Sequence, residues 1–134
     1  MRGMTLLEKV KARKLPFVEV LGIEFLSAEP EKLVARMVVR PEFIGANDRI
    51  HGGVLMAFAD TLGGFATFIN LPEGSNGTTT MESKTNFIRP TQTGAILMAT
   101  STPLHKGRRT QVWTTKIEDD GRLVAVVTQT QIIL

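Results

Sequence analysis

Asp60 is the only charged residue in an apolar stretch that runs from Gly52 to Pro72. Burial of a carboxylate without a hydrogen-bond or ion-pair partner destabilises the fold. A protein therefore keeps one in apolar surroundings when it has such a partner or takes part in the function. The preceding sequence, His51-Gly52-Gly53, predicts a helix start whose main-chain N–H groups can bind an anion. An acid two turns along a helix from such donors indicates a catalytic pair. The alternative is a structural acid that caps a backbone group or pairs with an arginine across a dimer.

Periodicity and turn residues predict the elements that position this pair. Thr5 and Glu8 have capping-box spacing and open a short helix that is closed by Pro16. Residues 33–40 alternate as a half-buried strand does. The central helix opens at His51, and turn formers end it at residues 71–77. Three further strands are predicted at 95–104, 110–118 and 122–133.

The segment that begins at Thr78 also alternates, up to a break at Arg89-Pro90. This alternation predicts one strand with two faces, which carry Met81, Ser83, Thr85 and Phe87 on one side and Thr80, Glu82, Lys84 and Asn86 on the other. The pair Asp120-Gly121 predicts a tight hairpin between the last two strands. The order of elements is an α+β layout, with an antiparallel sheet and one long central helix.

The central helix is apolar on nearly every face, so it must be covered all round. The sheet is the only partner large enough, and we expect it to wrap the helix. A sheet of this size leaves apolar surface uncovered, which predicts self-association, most simply as a symmetric homodimer.

Size and composition limit the class of protein. The chain has 134 residues, a formal net charge of +3 and no cysteine. These values predict a single domain over residues 1–134, in a cytoplasmic protein with no Cys-ligated zinc. His51 and His105 are far apart in the sequence, so we expect no metal site. A nucleic-acid partner is not expected because aromatic residues are few and no binding module is visible. Glycine and Asp60 interrupt the apolar stretch, which argues against a membrane span.

The motif HGGVLMAFADTLGG resembles that of hotdog-fold acyl-CoA thioesterases, closest to the phenylacetate-pathway and dihydroxynaphthoyl-CoA thioesterase group. The basic turn from Pro103 to Arg109 and the segment from Gly121 to Ala125 support the resemblance. It implies a hotdog fold, with an antiparallel sheet wrapped around one long central helix. It also implies dimers whose sheets join, commonly paired into homotetramers, with active sites at the dimer interface.

The resemblance also implies roles for individual residues. Asp60 matches the catalytic acid, Gly52 matches the residue whose N–H polarises the thioester carbonyl, and His51 matches a largely structural histidine. Relatives carry Asn or Gln six residues before that histidine, where this chain has Gly45, and the nearest amide is Asn47. A strand hydroxyl that holds the catalytic acid in relatives corresponds to Thr80.

Hydrolysis of an acyl-CoA needs an attacking oxygen, a proton acceptor and donors for the oxyanion. Asp60 could act as general base on water or attack directly, and the residues leave both routes open. Gly52, with Gly53, would bind the oxyanion, and no cofactor is needed because CoA is part of the substrate. Gly64 either allows close helix packing or lies beside the acyl group. A cluster of basic residues would bind the CoA phosphates or form a solvated turn: Lys106, Arg108 and Arg109.

Two other functions fit the same sequence. A hotdog dehydratase acting on 3-hydroxyacyl thioesters would use His51 as its base. A non-catalytic acyl-CoA-binding protein would keep the pocket without turnover. Measuring free thiol and enoyl product from one panel of thioesters separates the two enzymes, and tight binding of CoA esters without turnover would favour the binding protein.

Overall fold

The computed structural model describes residues 3–134, which form one antiparallel sheet and three α-helices. In chain order the elements are α1 (Leu6–Ala12), α2 (Pro16–Leu21), β1 (Glu24–Glu29), β2 (Lys32–Val38), α3 (Gly52–Phe68), β3 (Thr78–Phe87), β4 (Ile96–Lys106), β5 (Thr110–Asp119) and β6 (Arg122–Ile133). Two 3-10 turns lie between β2 and α3, at Pro41–Phe43 and Ala46–Asp48. The strand order is β1-β2-β4-β5-β6-β3, so β1 and β3 form the two edges of the sheet.

The N-terminal region contains two helices. The Thr5 hydroxyl accepts the N–H of Glu8, and the Glu8 carboxylate accepts the N–H of Thr5, which confirms the predicted capping box. Helix α1 ends before Pro16, as expected. Pro16 itself begins α2, which the sequence pattern did not indicate. Proline suits the first helical position because the N–H it lacks would have no partner within the helix.

The β5–β6 hairpin confirms the turn predicted at Asp120-Gly121. Both turn residues have positive φ, 49° at Asp120 and 78° at Gly121, and Asp119 pairs with Arg122 across the turn. Asp-Gly accommodates this geometry because aspartate tolerates the left-handed region and glycine has no Cβ. The hairpin fixes the register of β6, which carries two residues of the candidate site.

Helix α3 packs across the inner face of the sheet. Its buried residues include Phe58 and Leu62, which are fully inaccessible and belong to the same core as a fully buried Trp113 from β5. Each large apolar side chain buried in this way contributes about 1.5–3 kcal/mol to folding. The opposite face of α3 is open in the single chain, where Met56 and Asp60 are exposed. No helix within residues 3–134 has the length and apolarity to cross a membrane.

Strand β3 has a bulge at Met81. Thr80 pairs with Gln131, and Glu82 pairs with the preceding residue, Thr130. The extra residue shifts the alternation, so that Thr78 and Thr80 are partly buried before the bulge and Ser83 and Thr85 are partly buried after it. The predicted faces are therefore wrong on one side of the bulge: Met81 is exposed, and Thr80 rather than Met81 faces α3 together with Ser83 and Thr85. Phe87 keeps its predicted side, because its ring lies beside Gly52 at the start of α3.

Candidate active site

The Asp60 carboxylate accepts two hydrogen bonds from the sheet on the same oxygen. Thr80 Oγ1 donates to Asp60 Oδ1 at 2.6 Å. Gln129 Nε2 donates to the same Oδ1 at 3.2 Å. Helix α3 supplies the acid, β3 the hydroxyl and β6 the amide, so three elements fix one side chain. Charge-assisted bonds of this kind are stronger than neutral ones.

The Thr80 hydroxyl is itself held by a buried amide. Gln131 Nε2 donates to Thr80 Oγ1 at 2.6 Å, and Thr78 Oγ1 donates to Gln131 Oε1 at 2.9 Å. Gln131 is 1% exposed. Because the amide N–H occupies a lone pair of Thr80 Oγ1, the hydroxyl hydrogen remains available for Asp60. The chain Thr78, Gln131, Thr80 therefore orients a donor at the carboxylate.

Asp60 borders a groove of about 310 Å³. Gly64 and Phe65 continue the helix wall, and another wall is formed by Leu15, before α2, and by Phe17, in its first turn. A Cβ built on Gly64 meets nothing within 4 Å, so that part of the helix faces open space. The groove has a mixed lining, with apolar side chains such as Leu15, Phe17 and Phe65 and polar ones from Arg13 and the threonines of β3. Such a lining can hold an acyl chain together with its reactive carbonyl.

His51 caps α3 and binds the helix's own backbone. Its Nδ1 accepts the N–H of Gly53 at 2.8 Å, and its carbonyl accepts the N–H of Val54 at 3.0 Å. A ring nitrogen that accepts a hydrogen bond carries no proton, so Nδ1 is the acceptor nitrogen and the ring hydrogen lies on Nε2. Within residues 3–134 the N–H of Gly52 has no acceptor, which leaves it available to bind an anion.

Gly52 and Asp60 lie on one helix but cannot reach the same carbonyl group. An α-helix rises about 1.5 Å per residue, so eight residues separate them by roughly 12 Å. An oxyanion donor must lie about 3 Å from the reacting oxygen, and the base must lie close to the attacking atom. The predicted pair therefore requires Asp60 of one copy and Gly52 of another.

Comparison with known proteins assigns the chain to a family. A model of the thioesterase superfamily matches residues 47–126, more than half of the chain and including the start of α3, Asp60 and Thr80. The chain belongs to the thioesterase superfamily. This thioesterase is similar to the 1,4-dihydroxy-2-naphthoyl-CoA hydrolase of Listeria monocytogenes serotype 1/2a, at 33% identity over 104 residues, which cover 76% of this chain and 81% of the relative. It is also similar to the acyl-coenzyme A thioesterase PaaI of Escherichia coli K12, at 30% identity over 101 residues, covering 74% of this chain and 68% of the relative.

A solved structure supports the same assignment. The thioesterase HI1161 of Haemophilus influenzae superposes with a TM-score of 0.86 at 28% identity, covering 99% of this chain and 92% of the other. The hotdog fold inferred from the HGG motif is confirmed, and the enzyme is a thioester hydrolase.

The remaining predicted residues lie away from the Asp60 groove of this thioesterase. Asn47 lies exposed in a 3-10 turn with φ 59°, one of the few non-glycine residues in the left-handed region. A Cβ built on Gly45 would lie 3.3 Å from His51 Cα, so the loop packs closely on the helix start. Asn47 and the N–H of Gly53 keep their predicted roles as hypotheses, although Gly53 already donates to His51.

The basic turn lies between β4 and β5. Lys106 Nζ pairs with Glu31 and lies 3.3 Å from Asn70 Oδ1, which ties the turn to the end of α3. Arg108 and Arg109 are exposed. Their predicted contact with CoA phosphates remains a prediction. Among the described residues, no three His, Cys, Asp or Glu side chains lie close enough to hold a metal ion.

Sequence reasoning missed the glutamines of β6. Gln129 and Gln131 are buried on the strand face that also carries Val127. The available signal was the alternation of the strand, in which every second residue lies on the same face. In the segment Val127-Thr-Gln-Thr-Gln131, amides occupy the positions where a strand facing a core normally carries apolar residues. A buried amide at such a position needs a polar partner, and here the partners are Asp60 and Thr80.

Proposed function

We propose that this thioesterase hydrolyses acyl-CoA thioesters to a carboxylic acid and CoA, with Asp60 as the catalytic acid residue of its active site. The observation that carries the proposal is the bonding of Asp60: two donors hold Oδ1 while the side chain borders an open groove of mixed polar and apolar lining. The relatives named as CoA-ester hydrolases support the substrate class.

Two routes from Asp60 balance chemically. As a general base, Asp60 takes a proton from water while the water oxygen bonds to the carbonyl carbon. The C–S bond then breaks, and the CoA sulfur leaves and takes up a proton. As a nucleophile, an Asp60 oxygen bonds to the carbonyl carbon and expels the thiolate, and water then hydrolyses the mixed anhydride. Both routes use only water and groups of the chain, and CoA enters as part of the substrate.

The N–H of Gly52 in a second subunit would bind the oxyanion, which makes a homodimer the minimal active unit. Strand β3 supports this because it pairs only with β6 and is an edge of the sheet. Met81 and Phe87 on this strand are 60% and 55% exposed. Long exposed edges with apolar side chains favour pairing with another chain.

Pairing of two such dimers would give the expected homotetramer. The lack of cysteine in the sequence fits a cytoplasmic enzyme.

The CoA moiety would extend towards basic side chains at the subunit surface. Arg108 and Arg109 have exposed guanidinium groups at the β4–β5 turn, and these groups match phosphate oxygens in charge and geometry. Lys106 adds a third positive charge, although Glu31 partly neutralises it.

The bonding of His51 favours hydrolysis over the dehydratase alternative. A histidine base needs an unprotonated ring nitrogen facing the substrate. In this enzyme the unprotonated Nδ1 accepts the Gly53 N–H, and the other nitrogen carries the hydrogen.

Release of free thiol from a panel of short, long and aryl CoA esters tests the proposal. Asp60→Asn keeps the size of the side chain but removes its charge, and we expect turnover to fall by roughly 10²–10⁴-fold. Asp120→Asn is a matched control, because it makes the same chemical change at an exposed turn where asparagine tolerates the positive φ. Near-normal hydrolysis by Asp60→Asn would refute the assignment, and enoyl product without thiol would favour the dehydratase.

A further inference from the structure

Gln129 is a fully buried amide that contacts the candidate catalytic acid from the side of the sheet. Its side chain is 0% exposed, and its Nε2 lies 3.2 Å from Asp60 Oδ1 and 3.4 Å from the Asp60 main-chain oxygen. A carboxylate and a carbonyl only accept hydrogen bonds, so the nitrogen of the amide must face Asp60. The single amide group therefore contacts both the side chain and the backbone of that residue.

Gly63 provides the space that this arrangement needs. A Cβ built on Gly63 would lie 2.1 Å from Gln129 Cδ and 2.4 Å from its Nε2. Such distances are far inside van der Waals contact, so any larger residue at 63 must displace the glutamine. Glycine costs a helix interior about 1 kcal/mol relative to alanine. The close approach of Gln129 is the physical reason for glycine at this position.

Packing alone does not explain an amide at position 129. Its Oε1 is buried and has no hydrogen-bond partner among residues 3–134. An unsatisfied buried oxygen destabilises a fold by about 1–3 kcal/mol, and an apolar side chain of similar shape avoids that cost. The remaining reason to keep an amide here is the contact that its nitrogen makes with Asp60.

The two donors distinguish the two oxygens of the carboxylate. Thr80 and Gln129 both donate to Oδ1, whereas no donor from the described part of the chain contacts Oδ2. An oxygen that accepts two hydrogen bonds is a weaker base and nucleophile than one that accepts none.

We infer that Gln129 is a positioning residue, held in place by Gly63, that restrains Asp60 so that Oδ2 is the oxygen that reacts. The inference rests on the proposed function, because it assigns the reacting atom within that same site. It holds for either route: Oδ2 takes the proton of water, or Oδ2 attacks the carbonyl carbon.

Gln129→Met tests the inference, because methionine matches glutamine in length and shape but has no N–H donor. Without the second donor the carboxylate can turn, and we expect kcat to fall by roughly 10- to 100-fold while KM stays within about twofold. Removal of the unpartnered oxygen should leave the melting temperature equal to or above that of the wild type. A kcat within about twofold of the wild type would overturn the inference.

Gln111→Met is the matched control. Gln111 is also a buried glutamine on the inner face of the sheet, but it bonds to Asn70 and Trp113 rather than to Asp60. We expect this variant to lose stability and keep its kcat. Gly63→Ala should reproduce the loss of kcat with Gln129 intact, because the added methyl group displaces the amide. Equal losses of kcat in Gln111→Met and Gln129→Met would contradict a specific role for Gln129.

A crystal structure of Gln129→Met gives a readout that does not depend on activity. We expect Asp60 in more than one rotamer, or with the plane of its carboxylate rotated away from the wild-type orientation. A single rotamer with the wild-type bonding would overturn the inference, even if the wild type cleaved no CoA ester. Conversely, loss of thiol release in Asp60→Asn with full activity in Gln129→Met would leave the proposed function standing and remove the inference alone.

Discussion

Thr80 Oγ1 donates to Asp60 Oδ1 at 2.6 Å, across the contact between the sheet edge and the central helix. The bond depends on the bulge at Met81, which determines the residues of β3 that face the helix. Even-numbered residues such as Thr80 face it before the bulge, and odd-numbered residues face it after the bulge. A local irregularity in an edge strand thus delivers the hydroxyl that fixes the candidate catalytic acid.

Replacement of Thr80 by valine should lower kcat by roughly 10- to 100-fold, because Asp60 loses a charge-assisted donor and Gln131 loses its acceptor. Thr80→Ser keeps the hydroxyl and should retain most of the activity. Thr102→Val makes the same change at an exposed position of β4 and serves as the control. Steady-state kinetics of the three variants check the prediction, and full activity in Thr80→Val would remove the hydroxyl from the mechanism.

Two adjacent glycines should respond oppositely to alanine. At Gly64 a Cβ meets nothing within 4 Å, so Gly64→Ala should stabilise α3 by about 0.5–1 kcal/mol. At Gly63 the new Cβ clashes with Gln129, so Gly63→Ala should destabilise the fold. Denaturant unfolding of both variants measures the contrast. A shift of the same sign and size in both would show that the close approach of Gln129 does not restrict position 63.

The open space at Gly64 also predicts an effect on substrate choice. A valine at this position would fill part of the groove beside Asp60 without contacting other protein atoms. We expect KM to rise for long or aryl acyl-CoA esters and to change little for the shortest ones. A uniform change across the panel would indicate that the acyl group binds elsewhere.

Removal of charge at the β4–β5 turn should weaken binding of CoA. Arg108→Gln with Arg109→Gln should raise KM for CoA esters and leave kcat unchanged, because phosphate contacts bind substrate and transition state equally. A thioester of a short thiol without phosphates provides the control substrate, since its KM should not respond. Lys116→Gln, an exposed change on β5, provides the control variant. An unchanged KM would indicate that the turn is solvated and does not bind the CoA phosphates.

The sequence predicted the fold well where local chemistry decides it. The Thr5 capping box, the Asp120-Gly121 hairpin and the helix start at His51 each depend on neighbouring residues, and all three are confirmed. The alternation from Thr78 to Phe87 failed at the bulge, because a bulge arises from pairing with β6 rather than from β3 itself. The helix at Pro16–Leu21 was missed for a similar reason, since proline is compatible with the end of one helix and the start of another.

The candidate site was only partly predictable. Asp60 stood out as a lone charge, yet in the single chain it is exposed rather than buried, because the sheet covers one side of α3. Gln129 was missed because its importance depends on the approach of β6 to Gly63, which joins residues far apart in sequence. In the local sequence pattern, long-range packing of this kind is visible only as a polar residue on a buried strand face.

Activity of mixed dimers tests the central claim most directly, namely that Asp60 of one subunit acts with the Gly52 N–H of another. Asp60→Asn removes the acid. Gly52→Pro removes the N–H at the first helical position, where the backbone tolerates proline. Gly52→Ala keeps the N–H and controls for the added Cβ, which would lie 3.0 Å from Phe87 Cε1. Asp60→Asn and Gly52→Pro alone should each be nearly inactive. When the two are co-expressed with different tags and purified through both, one of the two sites in each mixed dimer regains both groups. About half of the wild-type activity should return in isolated mixed dimers, and roughly a quarter to a third in homotetramers, which can also pair one kind of homodimer with the other. Mixed dimers no more active than the separate variants would contradict the account.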